Sequence, residues 1–290
     1  MSRLKTMPYT YTSPDDPGRE DDGLFGPGSV TWRVMNSRIM WVAIVRALYL
    51  QALHPRVIRG TLQNAVTVTE PADAWARLRR TRKFIETRTF GTRAEAERAG
   101  RRVRNLHEAL TATDPDGTRY RIDEPGLLLW VHCGEVASCA DIARRSQLPF
   151  SAADLDAFVD EQRTSAELIG IDRAAAPASM AELDAYYEQV RPELYACEEA
   201  RQALRLALRP PVPDGNRVLK LGLPPVSALA WSTLPRWARR MYGIPDGPLS
   251  EAAATAGLRI TRLAFRQERL FHGAMRAIHR AEMAGENPGS

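Results

Sequence analysis

Five histidines, at 54, 107, 132, 272 and 279, and three cysteines, at 133, 139 and 197, carry most of the ligating chemistry in this 290-residue chain. One of them stands out by its surroundings. His132 sits inside LLLWVHCGEVASCADIARR, Leu127 to Arg145, a stretch that reads as a buried helix. At 3.6 residues per turn it shares a face with Leu128, Leu129, Val136 and Cys139. An imidazole there loses its hydration and needs a partner. Two readings follow: a core histidine bonded to a carbonyl or to Glu135, or an axial ligand to haem iron with its second nitrogen held by an acceptor. Gly134, next but one, removes bulk and admits either a flat macrocycle or another helix.

A second group lies on a helix expected from about Asp73 to Phe90. Arg77 and Thr81 are four apart and therefore neighbours on one face, which Phe84 and Arg88 continue. Arginine offers a permanent charge for a propionate or an oxygen-derived anion, and threonine a hydroxyl that can orient a bound ligand. The alternative is an exposed arginine and a threonine bonded back to its own helix. His54 precedes Pro55, and this pair marks a helix junction, because the residue before proline avoids the helical basin while proline suits a first helical turn. A residue at such a junction lines a cavity or locks the junction.

Other metal chemistries fail on spacing. No histidine has a glutamate three residues before it, as a di-iron bundle requires. There is no HExxH, no cysteine and histidine grouping at zinc spacing, and no CxxCH for covalent haem. Phosphate-cradling glycine loops and the GxSxG elbow are absent too. A haem bound here would be non-covalent.

Helical periodicity dominates the elements that must position these residues. A first helical region spans Trp32 to Leu53. Asp73 is the expected N-cap of the Arg77 helix and Gly91 its stop. Thr92 with Glu95 forms a capping box opening a helix to Leu110. DPDGTRYRID, Asp114 to Asp123, carries a hairpin signal, a DG turn followed by alternation at Tyr120 and Ile122. Asp123 is expected to cap the His132 helix, with Pro125 in its first turn. Ser151 with Asp154 and Ser179 with Glu182 read as further caps. RPPVPDG, Arg209 to Gly215, reads as a loop, and helices are expected over about 226–242 and 250–284. The class is all-α with one minor β-hairpin: a polar arm at 1–25, a single helical domain at 26–284 and a short tail at 285–290.

Composition narrows the function. Three of the 40 basic residues are Lys and the other 37 Arg, giving a net charge of +5. The densest run, RLRRTRKFIETR, lacks any finger or loop spacing, so a solvated helix face is expected rather than a nucleic-acid surface. The apolar stretch Ile39 to Leu53 is interrupted by Arg46 and falls short of the roughly 20 residues that span a bilayer; no membrane span is expected. Without an apolar leader or an even cysteine framework, a cytoplasmic location is expected.

GPGSVTWRV, ALYLQALHPRV, WARLRRT with FGTRAEA, LLLWVHCGEVAS and LPRWARRMYGIP occur in that order between Gly26 and Pro245. Together they resemble the MpaB/latex-clearing-protein family of haem b-dependent oxygenases. The resemblance implies an all-helical fold with haem b held between helices. His132 then stands at the proximal histidine, Arg77 and Thr81 at the Arg and Thr beside the haem, and His54 at the histidine of the HP element. It also implies O2 or peroxide acting on a small apolar substrate: cleavage of a C=C bond, or else hydroxylation or desaturation. Two departures matter. Arg80 stands where latex-clearing members can carry a lysine that approaches the iron, and neither the export signal of those members nor the apolar anchor of fungal members is visible. Polyisoprene is therefore not the expected substrate. The alternatives are a haem-binding sensor or carrier without turnover, or a helical, Arg-rich nucleic-acid-associated protein.

Overall fold

A computed structural model of the chain describes residues 18–64, 71–208, 217–244 and 246–266; within 71–78, 206–208, 217–223 and 265–266 the helices are described but their side chains are not. The part of the expected arm before residue 18, the loop expected over Arg209–Gly215, His272, His279, the part of the last helix expected past 266 and the tail expected at 285–290 lie outside the described residues. What is described is helical except for one two-stranded antiparallel hairpin.

The expected first helix is two, α1 (Val30–Met35) and α2 (Met40–Gln51). Asn36 and Ser37 divide them, residues whose short polar side chains compete with the helical backbone. His54 is extended, at φ −87° and ψ 113°, and is the N-cap of α3 (Pro55–Gln63), with Pro55 in its first turn. Helix α4 (Pro71–Phe90) starts two residues ahead of Asp73, so Asp73 is not its N-cap. The Gly91 amide closes it on the Thr87 carbonyl at 2.9 Å. A Cβ at Gly91 would lie 2.5 Å from that oxygen, which explains the glycine. Thr92 and Glu95 make both halves of the capping box on α5 (Arg93–Glu108).

The hairpin pairs β1 (Thr111–Thr113) with β2 (Arg119–Arg121), setting Ala112 opposite Tyr120. Gly117 supplies the positive φ of its turn, 88°. Helix α6 (Pro125–Arg145) follows. Its N-cap is Glu124, without a side-chain cap bond; Asp123, the expected cap, is held instead by Arg121 at 2.7 Å. Ser151 caps α7 (Ala152–Leu168) and Ser179 caps α8 (Met180–Val190). A 3-10 turn (Arg191–Glu193) leads to α9 (Glu198–Leu208), which the sequence reading did not anticipate. The helix expected over 226–242 is split into α10 (Arg217–Ser232) and α11 (Arg236–Tyr242). Pro235 makes the break, since it has no N–H to give and holds its neighbour out of the helical basin. Helix α12 (Pro248–Arg266) ends the described chain.

Helices α2 and α6 form the centre. Gly134 of α6 lies so close to α2 that a Cβ there would be 3.0 Å from Gln51 Cγ. At this approach Gln51 donates to the Val131 carbonyl at 2.8 Å, and the Trp130 indole donates to the Gln51 carbonyl at 2.9 Å. Trp130, Leu50 and Leu53 are fully buried around the contact. Burial of each leucine contributes about 1.5–3 kcal/mol. Of the two partners open to Gly134, a macrocycle or a helix, the structure supplies the helix.

Arg46, which interrupts the apolar stretch in the sequence, is 2% exposed. It donates to the Thr233 carbonyl, Ser138 Oγ and Asp141, tying α2 to α6 and to the end of α10. Arg145 and Arg239 meet Glu251 in the same way, fastening α12. Buried cations are tolerable only when paired and hydrogen-bonded, and these are. Helix α6 is the one helix among the described residues that is long and apolar enough to cross a bilayer, but 67% of that stretch is buried, as befits the middle of a bundle.

Candidate functional site around His132

His132 lies in the first half of α6 and is 4% exposed. Its face is apolar as expected: Leu128, Val136 and Cys139 are buried and Leu129 half-buried. No described residue hydrogen-bonds to either imidazole nitrogen. Glu135, one turn on, is engaged by Arg88 of α4. Burial, with a smaller contribution from the Arg88 charge, pulls the His132 pKa down from 6.5 to about 3. The ring is therefore neutral at physiological pH, the form that ligates a metal.

Helix α4 reaches this face through Phe84 and Arg88. Phe84 packs in a cluster with Leu128 and Leu129. Arg88 is 4% exposed, its guanidinium lies over the Phe84 ring at 5.5 Å, and its Nε is buried without a partner. Arg88 is thus, among the described residues, the cation brought near His132. The sequence reading placed it on the Arg77–Thr81 face without assigning it a role; the spacing of eleven residues from Arg77, three turns, was the available signal. Thr81 lies two turns before Arg88 and is exposed. Arg77 is one turn further along α4, and its side chain lies outside the described residues.

His54 is not brought to His132. It packs against Trp130, with ring centroids 6.4 Å apart. Trp130 stands two residues before His132, about 200° round the helix, so His54 lies beyond the far side of α6. There it lines a cavity of about 690 Å³ between α3, the hairpin turn, the start of α6 and the end of α8. It stands at the α2–α3 junction as expected, as the N-cap of α3 without a side-chain cap bond, and the cavity it lines is separate from the His132 face. His54 is 7% exposed, its Nδ1 is buried without a partner, and its Nε2 is 3.6 Å from Glu193 Oε2. Burial lowers its pKa, outweighing the opposing pull of Glu193.

Among the described residues no group of three or more His, Cys, Asp or Glu is placed to hold a metal. The three cysteines are unpaired and buried, and burial raises the thiol pKa of Cys133 and Cys139. They are inert rather than nucleophilic.

A family model described as ER-bound oxygenase mpaB/B'/rubber oxygenase, catalytic domain, matches residues 32–278. Comparison with curated proteins finds no match, and comparison with solved structures finds none.

Proposed function

Since the chain belongs to the family of mpaB and rubber oxygenase catalytic domains, we propose that it is a haem b-dependent oxygenase whose iron ligand is His132. The observation that carries this reading is a buried, neutral imidazole that no described residue hydrogen-bonds, beside a glutamate already engaged by an arginine. A core histidine satisfied by its own helix would have used Glu135, and Arg88 engages that carboxylate. The donor set agrees: one imidazole with, among the described residues, no cluster of protein ligands around it suits a metal whose remaining ligands come from a macrocycle.

Haem b, when bound, supplies an iron centre that activates O2 or peroxide. The chain's own residues do the rest. His132 would hold the iron through one nitrogen, and its buried apolar neighbours Leu128 and Val136 would keep water from that side. Arg88, clamped to Glu135, fixes α4 against α6 and keeps positive charge near the ring, which disfavours protonation of His132. Arg77 offers a permanent charge to a carboxylate of the cofactor or to a bound oxidant, and Thr81 a hydroxyl at the open edge of α4. The substrate is a small apolar molecule, and no part of this reading requires polyisoprene.

Absorption spectra of the purified protein and of His132→Ala test it. A Soret band is expected in the parent, lost or displaced in the variant. Identical spectra would move the ligand elsewhere, and a parent without a Soret band when purified from haem-replete cells would end the reading.

A further inference from the structure

The cavity behind His54 is unused by the reading above and does not depend on it. Its volume, about 690 Å³, is that of a small-molecule site. Leu127, Leu129 and Val190 give it an apolar wall, and Tyr186 and Tyr195 add aromatic surface. The polar part is unbalanced. Its two cations are engaged: Arg56 by Asp114 at 2.7 Å and Glu124 at 3.5 Å, Arg59 by Asp114 at 3.5 Å and Glu199 at 3.0 Å. Its carboxylates are not all engaged. Four carboxylates line it against two arginines; Asp116, exposed on the hairpin turn, accepts from the Thr118 amide at 2.8 Å, and among the described residues no Lys or Arg forms an ion pair with it or with Glu193. Glu193, whose side chain is 66% exposed, stands at the cavity rim 3.6 Å from His54 Nε2. His54, more than nine-tenths buried on the cavity wall, has no hydrogen-bonded partner for Nδ1.

We propose that this cavity is a second ligand site, and that it binds an organic ammonium ion with an apolar body. An ammonium group is attracted by carboxylates that lack a cation and by the faces of aromatic rings; the cavity lining holds Glu193 for the first and Tyr186 and Tyr195 for the second. The apolar wall takes the rest of the molecule out of water. A carboxylate ligand would meet Glu193 and Asp116 with both arginines already occupied, and is disfavoured.

Titration calorimetry with octyltrimethylammonium, octanol and octanoate separates these chemistries on the whole chain as purified. The ammonium is expected to bind tightest and octanoate weakest. Glu193→Gln should weaken the ammonium about fivefold, the size of an exposed ion pair, and leave octanol unchanged. Gly126→Trp should abolish binding by filling the mouth. Gly126 is exposed and a Cβ there meets nothing within 4 Å, so the variant keeps the fold, which an unchanged melting temperature verifies. Octanoate binding as tightly as the ammonium, or ammonium affinity unmoved in either variant, would overturn the proposal.

Discussion

Replacing Glu135 by leucine tests the arrangement at His132 most directly. The Arg88 side chain is 5% exposed and its Glu135 partner 19%. Removing Glu135 leaves a guanidinium in the interior with no carboxylate and with an Nε that already lacks a partner. Stranding a buried charge costs about 3–5 kcal/mol. Removing Arg88 instead leaves a carboxylate that already touches solvent and can rehydrate, so Arg88→Leu should cost less, about 1–3 kcal/mol for an unsatisfied polar group. The double variant exchanges the pair for two aliphatic side chains and should fall within about 1 kcal/mol of the parent. Leucine, arginine and glutamate have similar helix propensities, so that contribution cancels across the cycle. Urea unfolding of the four proteins gives the numbers. The expected order is Glu135→Leu least stable, then Arg88→Leu, with the double variant recovering most of the loss. Costs that simply add, or a Glu135→Leu variant within 1 kcal/mol of the parent, would show that Arg88 is hydrated and not held against α6.

Acid sensitivity follows from His132. Its pKa falls from 6.5 unfolded to about 3 folded, so between those values the unfolded chain binds a proton that the folded chain refuses, and stability drops as pH drops. At pH 4.5 this amounts to about 3 kcal/mol in haem-free protein relative to neutral pH. Unfolding free energies at pH 7.5 and 4.5 should differ by that much more in the parent than in His132→Leu; equal differences would place the ring in water. Arg77→Ala should retain the Soret band while turnover under O2 falls, whereas undiminished turnover would make Arg77 a structural residue. Gly134→Leu should lower the thermal midpoint by forcing α6 off Gln51, at about 1–3 kcal/mol; an unchanged midpoint would mean that the two helices are not in close contact.

Features set by neighbours in sequence were legible; features set by distant partners were not. Thr92–Glu95, Ser151 and Ser179 act within one turn, and each caps its helix as the residue types predict. His54–Pro55 is equally local. Asp123 misled because its carboxylate has a competing partner two residues away, Arg121. Helix α9 was missed because it opens on Glu198 and Glu199 after a cysteine, with no Ser, Thr, Asp or Asn cap to announce it. Arg46 reads as an interruption of a core helix, and only partners 92 to 187 residues away reveal how its charge is accommodated. The same limit governs the site. That His132 is buried could be read from Leu128, Val136 and Cys139 around it. Whether it has a partner could not, because Glu135 stood within reach in sequence, and it is Arg88, 47 residues upstream, that occupies this carboxylate. The pairing of those two side chains takes from His132 the carboxylate acceptor that its own helix offered.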